Sequence, residues 1–247
     1  MGFLNKLGIG IGAQTAREGG RPLAGERDAH RGNGSAMAVG TNRPPEPQET
    51  TRGSNGLKEF LWNLDGLGRG TLLDLGPAWQ TTLTFFIERG FKVSTEDVLM
   101  GWKQFSQEDA QRQASLPPDA ERVSRAELAK AFLETSLQFA PGSFDAVLAW
   151  DVLDYLEDDT MKLVAERLRL LVREGGVILA MFHSNRPQQF QRYRILDEKT
   201  LEMVASTSIF PMARVFQNRE ISDLFARFHT SKTYLGRDQL REGLFVK

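Results

Sequence analysis

Apolar residues change their spacing several times after residue 56, and each change marks an element. Leu57, Phe60, Leu61 and Leu64 recur at helical spacing and stop at Asp65-Gly66, which predicts a short helix. The run Thr71-Leu72-Leu73-Asp74-Leu75-Gly76 then reads as a buried strand. Trp79, Leu83, Phe86 and Ile87 form one face of a helix that ends at Gly90. Phe91 to Thr95 is a second strand, closing on Glu96-Asp97. Strand, helix and strand in this order predict a βαβ unit with a parallel sheet.

The pattern from 98 to 143 is helical, with one helix over about 100–114 and a break at Pro117-Pro118. A second helix is opened by Ser124 with Glu127 three residues on, the spacing of a capping box. A third parallel strand is expected in this stretch, and no segment there has its pattern. Phe144 to Trp150 is a buried strand, and Met161, Val164, Leu168 and Leu171 mark a helix closing at Gly175-Gly176. Val177 to His183 is the next strand. An insertion hairpin is expected over about 192–206, and Asn218 is expected to cap a helix with Ile221, Leu224, Phe225 and Phe228 on its face. Two β-like runs, 229–235 and 243–247, are joined so briefly that they are predicted to be antiparallel neighbours.

Composition changes the picture mainly before residue 57. Residues 1–56 hold 12 of the 23 glycines and the run Arg43-Pro44-Pro45-Glu46-Pro47, with few large apolar residues after Ile11. Such a segment buries too little surface to offset its ordering entropy, so 1–56 is expected to be a disordered tail and 57–247 a single domain. A net charge of -1 over 247 residues gives no general attraction to nucleic acid or anionic membranes, and neither is expected as a partner. No run of apolar residues is long enough to span a bilayer, and a cytoplasmic protein is expected. The chain has no cysteine and three histidines, His30, His183 and His229. Thiolate chemistry is thereby excluded, and no metal site is expected.

Ligands of open α/β sheets bind beyond the carboxyl ends of the strands. The residues found there are Asp74 to Gln80, Glu96-Asp97, Trp150 to Asp154 and His183 to Asn185. Each has a plain structural alternative. Asp74 and Asp97 are equally suited to capping a turn or helix, Trp79 and Trp150 to packing, and His183 to a structural hydrogen bond. A nicotinamide-binding fold fits poorly, because no G-x-G-x-x-G follows the first strand.

The order of elements resembles the class I S-adenosylmethionine-dependent methyltransferase superfamily, a Rossmann-like, mostly parallel sheet flanked by helices and ending in an antiparallel C-terminal hairpin. Leu73-Asp74-Leu75-Gly76 is similar to its first motif, with Ala78 and Gln80 in place of the later glycines. Gly142-Ser143-Phe144-Asp145 to Tyr155-Leu156 resembles its fourth-strand segment, and Arg173 to Leu179 its glycine turn into strand five. The resemblance implies S-adenosyl-L-methionine as cofactor and methyl transfer to an acceptor that it does not identify, a small molecule rather than a macromolecule. It also implies that Gly76 admits the methionyl part and that Asp97, or its neighbour Glu96, receives the ribose hydroxyls. Asp74 would complement the ammonium group, with Ala78, Trp79 and Trp150 around the ligand, and Asp151 and His183 are the candidate catalytic bases. The degenerate loop leaves an alternative, a methyltransferase-like protein that binds or scaffolds without catalysing.

Overall fold

Period-two burial explains the layers. In the computed structural model, which describes residues 49–117 and 119–247, the central strands bury both faces, so successive residues serve different cores. Leu73, Val147, Ile178 and Ala180 face one core, while Leu72, Ala146, Leu148, Val177 and Leu179 face the other. Each such leucine, isoleucine or valine contributes about 1.5 to 3 kcal/mol when fully buried.

The six-stranded sheet has the order β3-β2-β4-β5-β9-β8. It is built from β2 (Gly70–Asp74), β3 (Phe91–Thr95), β4 (Phe144–Trp150), β5 (Val172–His183), β8 (Thr230–Leu235) and β9 (Leu240–Val246). Pairing is parallel among β3, β2, β4 and β5, and antiparallel for β9 on β5 and β8 on β9. On one face pack α3 (Val98–Ala114), α4 (Arg125–Thr135), α5 (Asp158–Leu171) and α6 (Asn218–Leu224). On the other lie α1 (Asn55–Leu64), α2 (Gln80–Ile87) and the hairpin of β6 (Gln191–Ile195) and β7 (Thr200–Ala205). The last two strands form a second, antiparallel sheet with β1 (Glu49–Gly53), in the order β1-β7-β6.

Most elements stand where the apolar pattern puts them, including the Ser124–Glu127 capping box on α4. Among the described residues the stretch between β3 and β4 holds only α3 and α4, so the sheet ends at β3 and the third strand is absent. The helix before β5 stops at Leu171 rather than at the glycine pair. Gly175, at φ +75°, lets β5 bulge through Gly175-Gly176 and resume its pairing at Val177. The last helix is capped by Gln217, reciprocally with Glu220, one residue before the expected Asn218.

The expected domain boundary shifts as well. Residues 49–56, assigned from composition to the tail, form β1 and the first residues of α1, while 1–48 lie outside the described residues. A buried polar knot holds this segment. Glu242 Oε2 accepts from Ser54 Oγ at 3.0 Å and from the Gly56 amide at 2.5 Å, and Glu242 Oε1 meets Arg52 Nη2 at 2.7 Å. Residue 56 has to be glycine, because a Cβ there would lie 2.7 Å from Glu242 Oε2.

Candidate functional site

The chain order reverses direction at β2, which lies between β3 and β4, and the crevice at the carboxyl ends of β2 and β4 is the switch point where such sheets bind ligands. Asp74 ends β2 and is 1% exposed. Its Oδ1 accepts from the Gly76 amide at 2.9 Å and from Trp150 Nε1 at 2.6 Å, while Oδ2 is buried without a partner. Burial raises this carboxyl to about 6, against the lowering effect of those two hydrogen bonds.

Trp150 ends β4 at φ +47°, where the register against β5 shifts. A left-handed non-glycine residue costs about 1 to 2 kcal/mol, which the Asp74 bond and the packing of the ring must offset. The indole lies against Gly76, so closely that a Cβ on that glycine would be 2.9 Å from it. Its other side stacks on Tyr193 of β6, centroids 5.7 Å apart and 10° from parallel.

Asp97 follows β3 and does two things at once. It caps α3 by accepting from the Met100 amide at 3.2 Å, and it takes Arg192 Nη2 on both oxygens at 2.9 and 3.1 Å. Glu96 is half-buried, its carboxyl raised by burial, and its amide extends the strand pairing by donating to the Asp74 carbonyl at 2.8 Å. Ala78 and Gln80 are exposed, and Gln80 Nε2 donates to Thr84 Oγ1 at 2.9 Å. Trp79 is half-buried before α2 with Arg194 5.3 Å over its ring, and its buried Nε1 lacks a partner. The space beside Gly76 is thus taken by Trp150 from the neighbouring strand.

A second group of side chains meets at the ends of β4 and β5. Asp154, fully buried in the 3-10 turn Val152–Tyr155, accepts the His183 amide at 2.7 Å and His183 Nδ1 at 2.9 Å. His183 also lines a cavity of about 410 Å³, with Arg186, Gln189, Gln191, Tyr193 and Asp238 among others. Burial alone would lower the imidazole, but the Asp154 hydrogen bond and the charges of Asp151 and Asp154 leave it raised above its ordinary value. Asp151 stands behind this pair, accepting from Tyr193 Oη at 3.3 Å and 3.8 Å from His183 Nδ1. Asp154 was not singled out from sequence; the signal for it was an acidic residue in the turn after a buried strand, four residues past Trp150.

Burial, opposed by the His183 charge, pushes Asp151 up to about 7. A carboxyl raised in this way favours the fold while protonated in both states, and the contribution is lost as pH rises from about 4 through 7. Asp74 behaves alike up to about 6, and His183, also raised, loses its contribution as pH climbs through its folded value. Wild type is therefore expected to lose stability between pH 5 and 8. Asp151→Asn should flatten that slope and gain roughly 2 to 3 kcal/mol at pH 8, read from urea unfolding at both pH values.

Two carboxylates, Asp74 at the end of β2 with an unpartnered buried oxygen and Asp97 after β3, paired with Arg192, and Gly76 after β2 are groups that suit a cationic, hydroxyl-bearing ligand in kind. Among the described residues no set of three His, Cys, Asp or Glu is arranged to hold a metal ion, and no helix is long and apolar enough to cross a membrane.

Residues 73–179 match the family model described as a methyltransferase domain. No curated protein matches the chain. Solved structures similar to it include the 1,6-didemethyltoxoflavin-N1-methyltransferase of Burkholderia thailandensis, with bound 1,6-didemethyltoxoflavin and S-adenosylhomocysteine. That match is 16% identical, covers 77% of this chain and 76% of the other, and has a TM-score of 0.40. A methyltransferase from Aquifex aeolicus is 10% identical over 76% of this chain and 88% of its own, with a TM-score of 0.38. One from Mesorhizobium loti is 13% identical over 75% and 94%, with a TM-score of 0.40.

Proposed function

We propose that this chain is a class I S-adenosylmethionine-dependent methyltransferase, which transfers a methyl group from S-adenosylmethionine to a small acceptor carrying an O–H or N–H; the methyltransferase-domain match over residues 73–179 supports the reading. The observation that carries the reading is the Asp154–His183 pair, a base oriented toward a cavity beside the crevice. When bound, the cofactor supplies an electrophilic methyl group on a sulfonium. Asp97 would hold the ribose hydroxyls and Asp74 the ammonium through its unpartnered oxygen, with Gly76 allowing close backbone approach.

His183 Nε2 takes the acceptor's proton as the new bond forms, and Asp154 stabilises the resulting imidazolium and keeps Nδ1 protonated. The cavity, walled by Gln189, Gln191 and Tyr193, orients the acceptor; its volume suits a small molecule. Proximity and orientation provide most of the acceleration in such a displacement.

A second reading, a domain of this fold that binds a partner without catalysing, is favoured by one observation: the Trp150 ring fills the space against Gly76. Titration calorimetry decides between them. S-adenosylmethionine or S-adenosylhomocysteine is expected to bind more tightly than about 1 mM, and Asp97→Asn should weaken that binding about tenfold or more. Two affinities weaker than about 1 mM for the wild type and for variants that clear the crevice would leave only the non-catalytic reading.

A further inference from the structure

Two adjacent residues of one element hold the crevice closed. Arg192 and Tyr193 are adjacent on β6 and reach two different parts of it: Arg192 takes both oxygens of Asp97, and Tyr193 stacks on the Trp150 ring that covers Gly76 while donating to Asp151. These contacts join residues 95 and 42 positions apart. The strand is also fastened down. The Ile195 amide donates to Thr82 Oγ1 of α2 at 3.0 Å, Ile195 and Leu201 are fully buried, and β7 pairs with β1.

We propose that Arg192 and Tyr193 form an autoinhibitory latch, in which Arg192 stands in for the cofactor's ribose on Asp97 and Tyr193 pins Trp150 across the crevice. The inference rests on the cofactor reading above. A ligand hydroxyl and a guanidinium compete for the same carboxylate oxygens, so cofactor affinity is reduced by the fraction of molecules in which the latch is closed. Lifting the hairpin bodily would expose two fully buried aliphatic side chains and break the β1–β7 pairing. The latch therefore opens by rotation of Arg192 and Trp150 about their own side-chain bonds, with the β6–β7 backbone staying in place. The Arg192 side chain is only 10% exposed and that of Asp97 23%, and the guanidinium lies 5.1 Å over the Phe190 ring. A pair this buried holds the crevice closed and yields when another donor takes its place on Asp97. Tyr193 also walls the neighbouring cavity, so an occupant of that cavity meets the latch directly.

The test is calorimetric titration of S-adenosylhomocysteine into the full chain and two variants. Arg192→Met keeps an unbranched apolar side chain and removes the guanidinium that pairs with Asp97 and lies over Phe190; Tyr193→Leu keeps an apolar filling and removes the stack and the hydroxyl. Circular dichroism melts verify that each is folded. Arg192→Met is expected to bind about tenfold more tightly than wild type, with Tyr193→Leu shifted in the same direction. Binding by the variants where wild type gives no signal also supports the latch. Affinities equal within about threefold in all three proteins would overturn it and leave the cofactor reading intact. Folded proteins that all fail to bind would overturn both.

Discussion

Replacing His183 with glutamine is expected to lower turnover by about 10²- to 10⁴-fold while leaving the affinity for S-adenosylhomocysteine within about threefold of wild type. The reason is positional. His183 sits at the end of β5, its Nδ1 held at 2.9 Å by a buried carboxylate and its ring lining the neighbouring cavity, whereas the groups assigned to the cofactor lie at the ends of β2 and β3. Loss confined to kcat would identify His183 as a proton acceptor, and loss of cofactor affinity alone would contradict that role. Asp154 acts through His183 and is a positioning residue. Asp154→Asn keeps an oxygen for the His183 amide but withdraws the negative charge from the imidazole. The rising limb of the pH–rate profile, which in wild type should lie above the ordinary histidine value because His183 is raised, is expected to move toward lower pH in that variant. A purely structural Asp154 would lower stability without moving that limb.

The second large effect concerns the segment that supports the latch. Glu242→Ala is expected to destabilise the protein by about 3 to 5 kcal/mol, because it leaves Arg52 without its buried partner and orphans the Ser54 hydroxyl and the Gly56 amide. For a domain of this size that corresponds to a fall in Tm of roughly 6 to 20 °C, measured by a calorimetric or circular dichroism melt. Arg52 retains its 2.8 Å contact with Asp238, so the loss should not exceed this range by much. Glu242→Gln keeps acceptors for Ser54 and Gly56 and should lose less. Because β1 pairs with β7 and β7 with β6, the variant is also expected to speed amide exchange along β6–β7. Destabilisation under about 1 kcal/mol would mean that β1 is held by its backbone ladder alone.

How far the fold was legible depends on how local each signal is. Short, nearly continuous apolar runs placed β2 to β5, and the Ser124–Glu127 spacing placed α4. The strand β1 was not legible, since Glu49 to Gly53 carries no apolar residue and is a strand through its pairing with β7 and the Arg52 ion pairs. Asp97 shows the same limit in the site. Its place after β3 was readable, and so was the alternative that it caps a helix; the structure has it capping α3 and binding Arg192.

By itself the sequence determined the order of elements, the doubly packed sheet and the acidic and glycine residues at its carboxyl end, because alternation, capping and turn chemistry act over a few residues. Only the tertiary structure decided what fills the crevice and what orients the base. Arg192 on Asp97, Trp150 on Asp74 and Asp154 on His183 join residues 95, 76 and 29 positions apart. Contacts of that range are set by strand order and by where an insertion hairpin folds back, and no local pattern of residues encodes either.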